Sequence, residues 1–157
     1  PDALMLFQAQ HRVLISGDAL WERRLAIVFP ELEGAEGFAS NAEVLDGIER
    51  LEPALVIPGH GRPFTDVAGA VEGSRQRLAH YRKNPDVHRR HAQRALLMFH
   101  MLEHNARPEH DVITWFCSAP ILSHGTTPVS RVTAQSCIDD LLSNGVLQRR
   151  SEMLHVA

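Results

Sequence analysis

The sequence predicts a mixed α/β domain over residues 1–84, followed by a smaller, mainly α-helical domain over residues 85–157. Three observations carry this prediction. In the first part, short apolar runs bounded by turn residues alternate with stretches of helical periodicity, a pattern typical of α/β folds. In the second part, helical periodicity continues almost to the end, where two alternating segments flank Ser151-Glu152. Between the two parts Asn84-Pro85 ends a helix, and we place the domain boundary there.

The composition is that of a folded globular protein. Of the 157 residues, 44% are hydrophobic and 22% are charged, far from the pattern of a disordered chain. The net charge of -3 gives no general excess of positive charge for nucleic-acid binding, and no apolar run approaches the roughly 20 residues that span a bilayer. Cys117 and Cys137 have no CxxC partner, so we expect no disulfides, no thiolate zinc site and a cytoplasmic location.

The first domain is predicted to open with two adjacent strands joined by a tight turn. Their apolar runs lie at residues 3–7 and 13–15, with a polar break between them. The second strand ends in Ser16-Gly17-Asp18, where the glycine permits a sharp exit. Residues 19–39 predict a loop with one short helical turn around residues 20–27.

A helix and a third strand come next. Ser40-Asn41 followed by Glu43 resembles a helix start, and Pro53 closes that helix. Residues 54–57 are continuously apolar, which is the pattern of a strand covered on both faces. Pro58-Gly59-His60-Gly61 follows this strand at once, and a basic helix over residues 68–82 completes the domain.

The second domain is predicted to contain three helices and a closing hairpin, an order that forms a winged helix. Trp115 and Phe116 are expected to fill its core. Asn144-Gly145 is a common helix stop. The predicted segments are, in order, a helix over 87–103, a linker over 105–110, a helix from Ile113, a loop over 120–128, a helix over 129–143 and a hairpin of 146–150 with 153–156.

Asp18 and His60 are the candidate site residues. Each follows a predicted buried strand, and the helix between the two strands indicates a parallel pair whose carboxyl ends meet at one edge of the sheet. Zinc and similar ions accept Asp oxygen and His nitrogen at about 2.0 to 2.2 Å. The pattern therefore indicates a metal site. The spacing alone leaves open that Asp18 caps a turn and that His60 is an exposed turn residue.

The motifs around these two residues resemble those of the metallo-β-lactamase superfamily. Ser16-Gly17-Asp18-Ala19-Leu20 and Val56-Ile57-Pro58-Gly59-His60-Gly61 are similar to its last two metal-binding motifs, with the same helix between them. The resemblance covers essentially the whole chain. It implies the C-terminal part of an αββα sandwich, followed by a lactamase-associated winged-helix extension. It also implies that Asp18 bridges two ions of zinc or a similar divalent metal, and that His60 binds the second ion.

The activity that the resemblance implies is hydrolysis by a metal-held hydroxide, which Asp18 orients as the catalytic residue. The substrate class is an ester, a thioester or a phosphodiester such as RNA. The family's His-x-His-x-Asp-His motif and one further metal-binding histidine are absent from this sequence. Because two protein ligands rarely hold zinc, we expect the C-terminal portion of a larger enzyme, inactive alone and weak or lacking in metal binding.

The remaining histidines and the basic residues allow two interpretations each. His88 with His91, and His100 with His104, share helix faces and either bind a metal or occupy solvated positions beside arginines. We favour the solvated positions. The basic stretch from Arg75 to Arg94 either guides an anionic substrate or is an ordinary solvated face.

A different class of function is the alternative: a non-catalytic winged-helix module for nucleic-acid binding or dimerisation. The third helix of the second domain offers Arg131 but also Asp139 and Asp140, which complement phosphates poorly. Half of a sandwich leaves apolar faces exposed, so we expect a homo-oligomer. We expect no membrane partner.

Overall fold

The computed structural model describes residues 4–123 and 127–157. Within these ranges the protein is mixed α/β, with two three-stranded sheets, six α-helices and one short 3-10 helix. The chain forms two compact units. The first unit contains the residues up to Glu31 and the range Ala35–Pro85, and the second contains Leu32–Gly34 and Asp86–Ala157.

The first unit is built on a sheet with the strand order β1-β2-β3. Strand β2 pairs antiparallel with β1 and parallel with β3, so the predicted adjacent strands and the predicted parallel pair are both confirmed. The elements of this unit are β1 (Leu6–Gln8), β2 (Val13–Gly17), α1 (Phe29–Leu32), α2 (Gly37–Leu51), β3 (Leu55–Pro58) and α3 (Val67–Lys83).

One face of this sheet is buried and the other exposes an apolar row. Leu14 and Val56 have no exposed surface and join side chains of α2 and α3 in the core. Leu6, Ile15 and Ile57 are neighbours across the three strands and are 56%, 46% and 37% exposed. The prediction of a strand over 54–57 covered on both faces is therefore wrong, because the helices pack against the Leu14 side.

The helical elements before β3 begin at other residues than predicted. Residues 20–27 contain no helical turn, and α1 lies at Phe29–Leu32 instead. Helix α2 begins at Gly37, one turn earlier than predicted, since the additional turn buries the ring of Phe38. The side chains of Ser40-Asn41 donate to backbone carbonyls one turn back and do not cap the helix.

The second unit contains a sheet with the strand order β4-β6-β5, in which β6 pairs antiparallel with both neighbours. None of the helices in residues 4–123 and 127–157 is long and apolar enough to cross a membrane. The elements are α4 (Pro85–His104), β4 (Ala106–Pro108), α5 (Glu109–Ser118), a 3-10 turn (Pro120–Leu122), α6 (Arg131–Ser143), β5 (Leu147–Arg150) and β6 (Met153–Val156).

Two features of this unit differ from prediction. The predicted linker over 105–110 contains strand β4, and α5 begins at Glu109 instead of Ile113. Pairing with β6 holds the extended segment, and the Glu109 amide donates to the Glu152 carbonyl at 2.9 Å. The predicted closing hairpin is confirmed. Residues 124–126 of the predicted loop lie outside the described residues.

The core of the second unit forms around α4, α5 and α6. Phe116 has no exposed surface, which confirms its predicted core position, and Trp115 packs at the edge of the same cluster. Leu147 and Leu154 bring the hairpin onto this core. Because residues from every helix of the unit contribute, the unit has its own hydrophobic core.

Candidate functional site

The structure brings Asp18 and His60 together at one edge of the first sheet. Pairing of β2 with β3 continues past the strands, because the Gly59 amide donates to the Gly17 carbonyl at 2.7 Å. Asp18 Oδ1 and His60 Nε2 then lie 3.8 Å apart. The predicted juxtaposition is thus present, and the roles of the two side chains in metal binding stay predictions.

Gly59 makes this close approach possible. A Cβ atom at position 59 would lie 2.9 Å from Asp18 Oδ1 and 3.2 Å from the Gly17 carbonyl oxygen. Both distances are shorter than ordinary carbon–oxygen contacts, and the second involves backbone that cannot move freely. A side chain at this position would therefore separate the two strand ends that carry the site.

Trp21 is a third member of the site and was not among the residues predicted from the sequence. Its indole Nε1 donates to Asp18 Oδ1 at 3.3 Å, and its ring meets the His60 ring edge-on with a centroid distance of 5.0 Å. The indole therefore touches both candidate ligands and restricts where they can move. The only signal in the sequence is an aromatic residue three positions after Asp18 in a polar segment.

The turn that carries Asp18 is held from inside the unit. Ser16 is fully buried, and its hydroxyl donates to the Leu20 carbonyl at 2.8 Å. The Ala19 amide donates to the Ser16 carbonyl at 3.0 Å. The Asp18 side chain projects outwards from this turn. Because the two hydrogen bonds hold the turn, the backbone that carries the carboxylate is fixed.

Both candidate ligands are open to solvent. The side chains of Asp18 and His60 are 61% and 72% exposed, so an ion can reach them directly. One carboxylate and one imidazole are donor types that zinc accepts. Within residues 4–123 and 127–157, no third His, Cys, Asp or Glu completes a group of three with this pair. Two donors give a weak site, since catalytic zinc sites use about three protein ligands.

Two of the remaining histidines do not occupy the solvated positions that we favoured. His88 is 2% exposed and His100 is 9% exposed. His100 lies within one turn of the buried Leu97 and Met101, whereas His88 lies near the start of α4, one turn before the buried Ala92. The prediction of solvated positions is wrong for these two residues, because His100 lies beside the core residues Leu97 and Met101 and because His88 is buried on a different side of α4.

The basic stretch is partly paired with nearby acids. Arg75 on α3 contacts the carboxylates of Asp46 at 2.5 Å and Glu49 at 2.9 Å on α2. The hydrogen bond from Arg75 holds the pKa of Glu49 below its ordinary value. In the second unit, Arg94 lies 3.3 Å from Asp140. These pairs reduce the positive charge that the stretch presents to an anionic substrate, and that guiding role stays a prediction.

A cleft of about 310 Å³ lies entirely in the second unit. Its wall includes Arg89 and Arg90 of α4 with Ser130 and Thr133 at the start of α6. The Ser130 hydroxyl accepts a hydrogen bond from the Thr133 amide and thereby caps α6. Asp18 and His60 do not line this cleft, so the candidate metal pair and the cleft are separate features.

Comparison with known proteins gives limited similarity. No family model matches this sequence, and no curated protein does. A metallo-β-lactamase family protein from Thermus thermophilus is similar over 98% of this chain, with 16% identity and a TM-score of 0.39. A β-lactamase domain protein from Burkholderia ambifaria is also similar over 98%, with 24% identity and a TM-score of 0.37. This chain covers 44% and 43% of those chains, less than half of their length. Similarity at this level assigns neither a family nor an activity.

Proposed function

We propose that this chain is part of a metal-dependent hydrolase of the metallo-β-lactamase superfamily and contributes Asp18 and His60 to its two-metal site. One observation carries the proposal: Asp18 Oδ1 and His60 Nε2 lie 3.8 Å apart beyond the ends of two parallel strands. Ligands of open α/β sheets bind at the carboxyl ends of the strands, where this pair stands. The motifs that end both strands resemble those of the superfamily.

The residues present fit a divalent ion such as zinc. They offer one oxygen and one nitrogen donor at a solvent-facing edge, and Gly59 leaves the space that their approach requires. The ions, when bound, supply Lewis-acid polarisation of the substrate oxygen and activation of water near neutral pH. Asp18 would hold metal through its carboxylate, while Trp21 fixes Oδ1 by a hydrogen bond. His60 would hold one ion through its imidazole.

The remaining ligands would come from outside these 157 residues. The His-x-His-x-Asp-His motif does not occur in the sequence. With two exposed donors, the isolated chain binds metal weakly or not at all and has no hydrolytic activity of its own. In the parent enzyme the site acts on an ester, a thioester or a phosphodiester.

The exposed face of the first sheet supports the idea of half a sandwich. Leu6, Ile15 and Ile57 form a continuous apolar row across all three strands. Contiguous apolar surface of this kind marks an interaction site in a soluble protein. We propose that the missing half of an αββα sandwich covers this row in the parent, and that the isolated chain self-associates through it.

We further propose that residues 85–157 form a winged-helix domain. The element order α4-β4-α5-α6-β5-β6, with β4 paired to the last strand of the hairpin, supports this assignment. Asp139 and Asp140 on α6 form ion pairs with Arg149 and Arg94. Because these acids repel phosphates, we assign the domain to assembly within the enzyme and not to nucleic-acid reading.

The test is hydrolysis by the parent polypeptide on a panel of ester, thioester and phosphodiester substrates. Asp18→Asn and His60→Gln should each lower kcat/KM by at least about 100-fold, since even loss of a partner behind a metal ligand costs about 10 to 100-fold. Asp66→Asn is the matched control, because Asp66 only caps α3 through the Gly69 amide. Wild-type turnover in the Asp18 and His60 variants would refute the assigned roles.

A further inference from the structure

We propose that His100, Glu103 and His104 on α4 form a binding site for one divalent transition-metal ion of the zinc class. This site lies wholly within the second unit and is independent of the proposed function of Asp18 and His60. Among the described residues, it is the one group of three His, Cys, Asp or Glu side chains with the spacing of a metal site.

The helix itself brings these three side chains together. Positions 100, 103 and 104 are related by one helical turn, so they share one face of α4. One potential ligand atom from each residue lies within 4.8 Å of the other two. His104 Nε2 and Glu103 Oε2 are 3.9 Å apart, and the His100 and His104 rings meet edge-on at 4.6 Å.

A zinc ion fits this spacing with small side-chain adjustments. Three donors that each lie about 2.0 to 2.2 Å from one ion are separated from each other by less than about 4.4 Å. The side chain of Glu103 is 74% exposed and that of His104 is 33% exposed, so both can rotate to close the gap. Two imidazoles and a carboxylate form an N,N,O donor set that suits zinc, cobalt, nickel and copper.

The third ligand is already held in place. The His100 ring stacks on the Trp115 ring with a centroid distance of 3.8 Å and an interplanar angle of 9°. His100 is 9% exposed, and its Nε2 atom has no hydrogen-bond partner among the described residues. A buried nitrogen without a partner is unfavourable, and an ion bound through it would relieve this cost.

The charge state of the cluster suits a metal. Glu103 adds a negative charge on the same turn. Arg107 is the opposing cation, and it lies 3.6 Å from the carboxylate of Asp111, which moderates its effect.

Three protein ligands leave a coordination position open. In zinc sites of this kind the fourth ligand is water or a donor from another molecule. The spacing of His100 and His104 is visible in the sequence, and Glu103 lies between them as the third candidate ligand. The completed pattern His-x-x-Glu-His is one turn of helix with a carboxylate beside the second imidazole.

The test uses the 157-residue chain with Asp18→Asn and His60→Asn, which remove the other candidate ligands. The chain has two tryptophans, and Trp21→Phe leaves Trp115, which stacks on His100, as the one remaining tryptophan. Zinc is titrated calorimetrically, and nickel is titrated while the Trp115 emission is recorded. We expect one zinc per chain with a dissociation constant below about 100 µM, and quenching of Trp115 by nickel with the same stoichiometry.

Variants then assign the ligands. His104→Gln and Glu103→Gln alter exposed side chains, so the fold should persist, and each should weaken zinc binding by at least about 10-fold. His80→Gln is the matched control, because His80 is an exposed helical histidine on α3. Circular dichroism checks the fold of every variant. Absence of zinc binding in the starting variant, or zinc binding that His104→Gln leaves unchanged, would overturn the proposal. Either result leaves the proposed role of Asp18 and His60 untouched.

Discussion

Asp18 and His60 follow neighbouring parallel strands, and their Oδ1 and Nε2 atoms lie 3.8 Å apart. The backbone sets this contact, because the Gly59 amide, next to His60, donates a hydrogen bond to the carbonyl of Gly17, next to Asp18. Trp21 touches both side chains. The sheet edge therefore presents an oxygen donor and a nitrogen donor at fixed spacing, and this relationship underlies the proposed hydrolytic role.

Gly59→Ala should destabilise the first unit by about 1 to 3 kcal/mol, because the added Cβ atom would press on Asp18 and on the Gly17 backbone. The environment of Trp21 should change with it. Urea unfolding and the Trp21 emission maximum, in a Trp115→Phe background, measure both effects. Gly47→Ala is the control, since its Cβ would meet only the Arg50 guanidinium at 3.8 Å within α2. The control should stabilise α2 by about 0.5 to 1 kcal/mol. Equal stability of the two variants would argue against a close strand-end approach.

Ile15→Lys should reduce self-association of the isolated chain, because it places a charge in the middle of the exposed row with Leu6 and Ile57. Sedimentation velocity at several protein concentrations measures the change. Val132→Lys is the control, since Val132 is 79% exposed on α6 and does not belong to the row. If both variants associate like the wild type, the row is not the contact surface.

The pair Glu109–Arg149 should make the stability of the second unit depend on pH. Arg149 donates to both Glu109 oxygens at 2.6 and 2.7 Å, and these bonds hold the pKa of Glu109 below its ordinary value of 4.5. The carboxylate is therefore bound more strongly in the folded state. Its stabilisation is fully present above about pH 4.5 and is lost as the pH falls through the lower, folded-state pKa.

Glu109→Gln should accordingly cost on the order of 1 to 2 kcal/mol at pH 7, with allowance for the partial exposure of Arg149. The cost should shrink towards acid pH. Urea unfolding between pH 2.5 and 7, followed by Trp115 emission in a Trp21→Phe background, provides the measurement. Glu152→Gln serves as control in the neighbouring turn. A cost that does not vary with pH would exclude a contribution from the charge of Glu109.

The sequence predicted the candidate pair because strand-helix-strand connectivity decides which strand ends become neighbours. It did not predict Trp21, whose position depends on the path of a loop without periodicity. The sequence also predicted, wrongly, that the strand over residues 54–57 is covered by other elements on both of its faces. A continuous apolar run shows that a strand favours burial, but it does not show whether a second layer is present to bury Ile57.

In the second unit, the long helices and the hairpin were predictable from periodicity and turn residues. Strand β4 was not, because three residues are too few to show an alternation and its pairing with β6 is long-range. The burial of His100 follows from its position within one turn of the core residues Leu97 and Met101, whereas His88 lies nine residues before Leu97, on the opposite side of the helix. Because histidine is a polar residue type that is often exposed, the pattern of apolar residues does not predict the burial of either side chain.

Metal content of the purified parent polypeptide tests the central claim most directly. The measurement uses a background with His104→Gln and Glu103→Gln, which removes two of the three proposed ligands on α4. In this background we predict two zinc-class ions per polypeptide, both bound at the proposed hydrolytic site. Asp18→Ala in that background should release at least one ion while circular dichroism stays unchanged, because Asp18 is exposed on a fixed turn. Full retention of both ions after Asp18→Ala, with the fold intact, would contradict the assignment of Asp18 as a shared ligand.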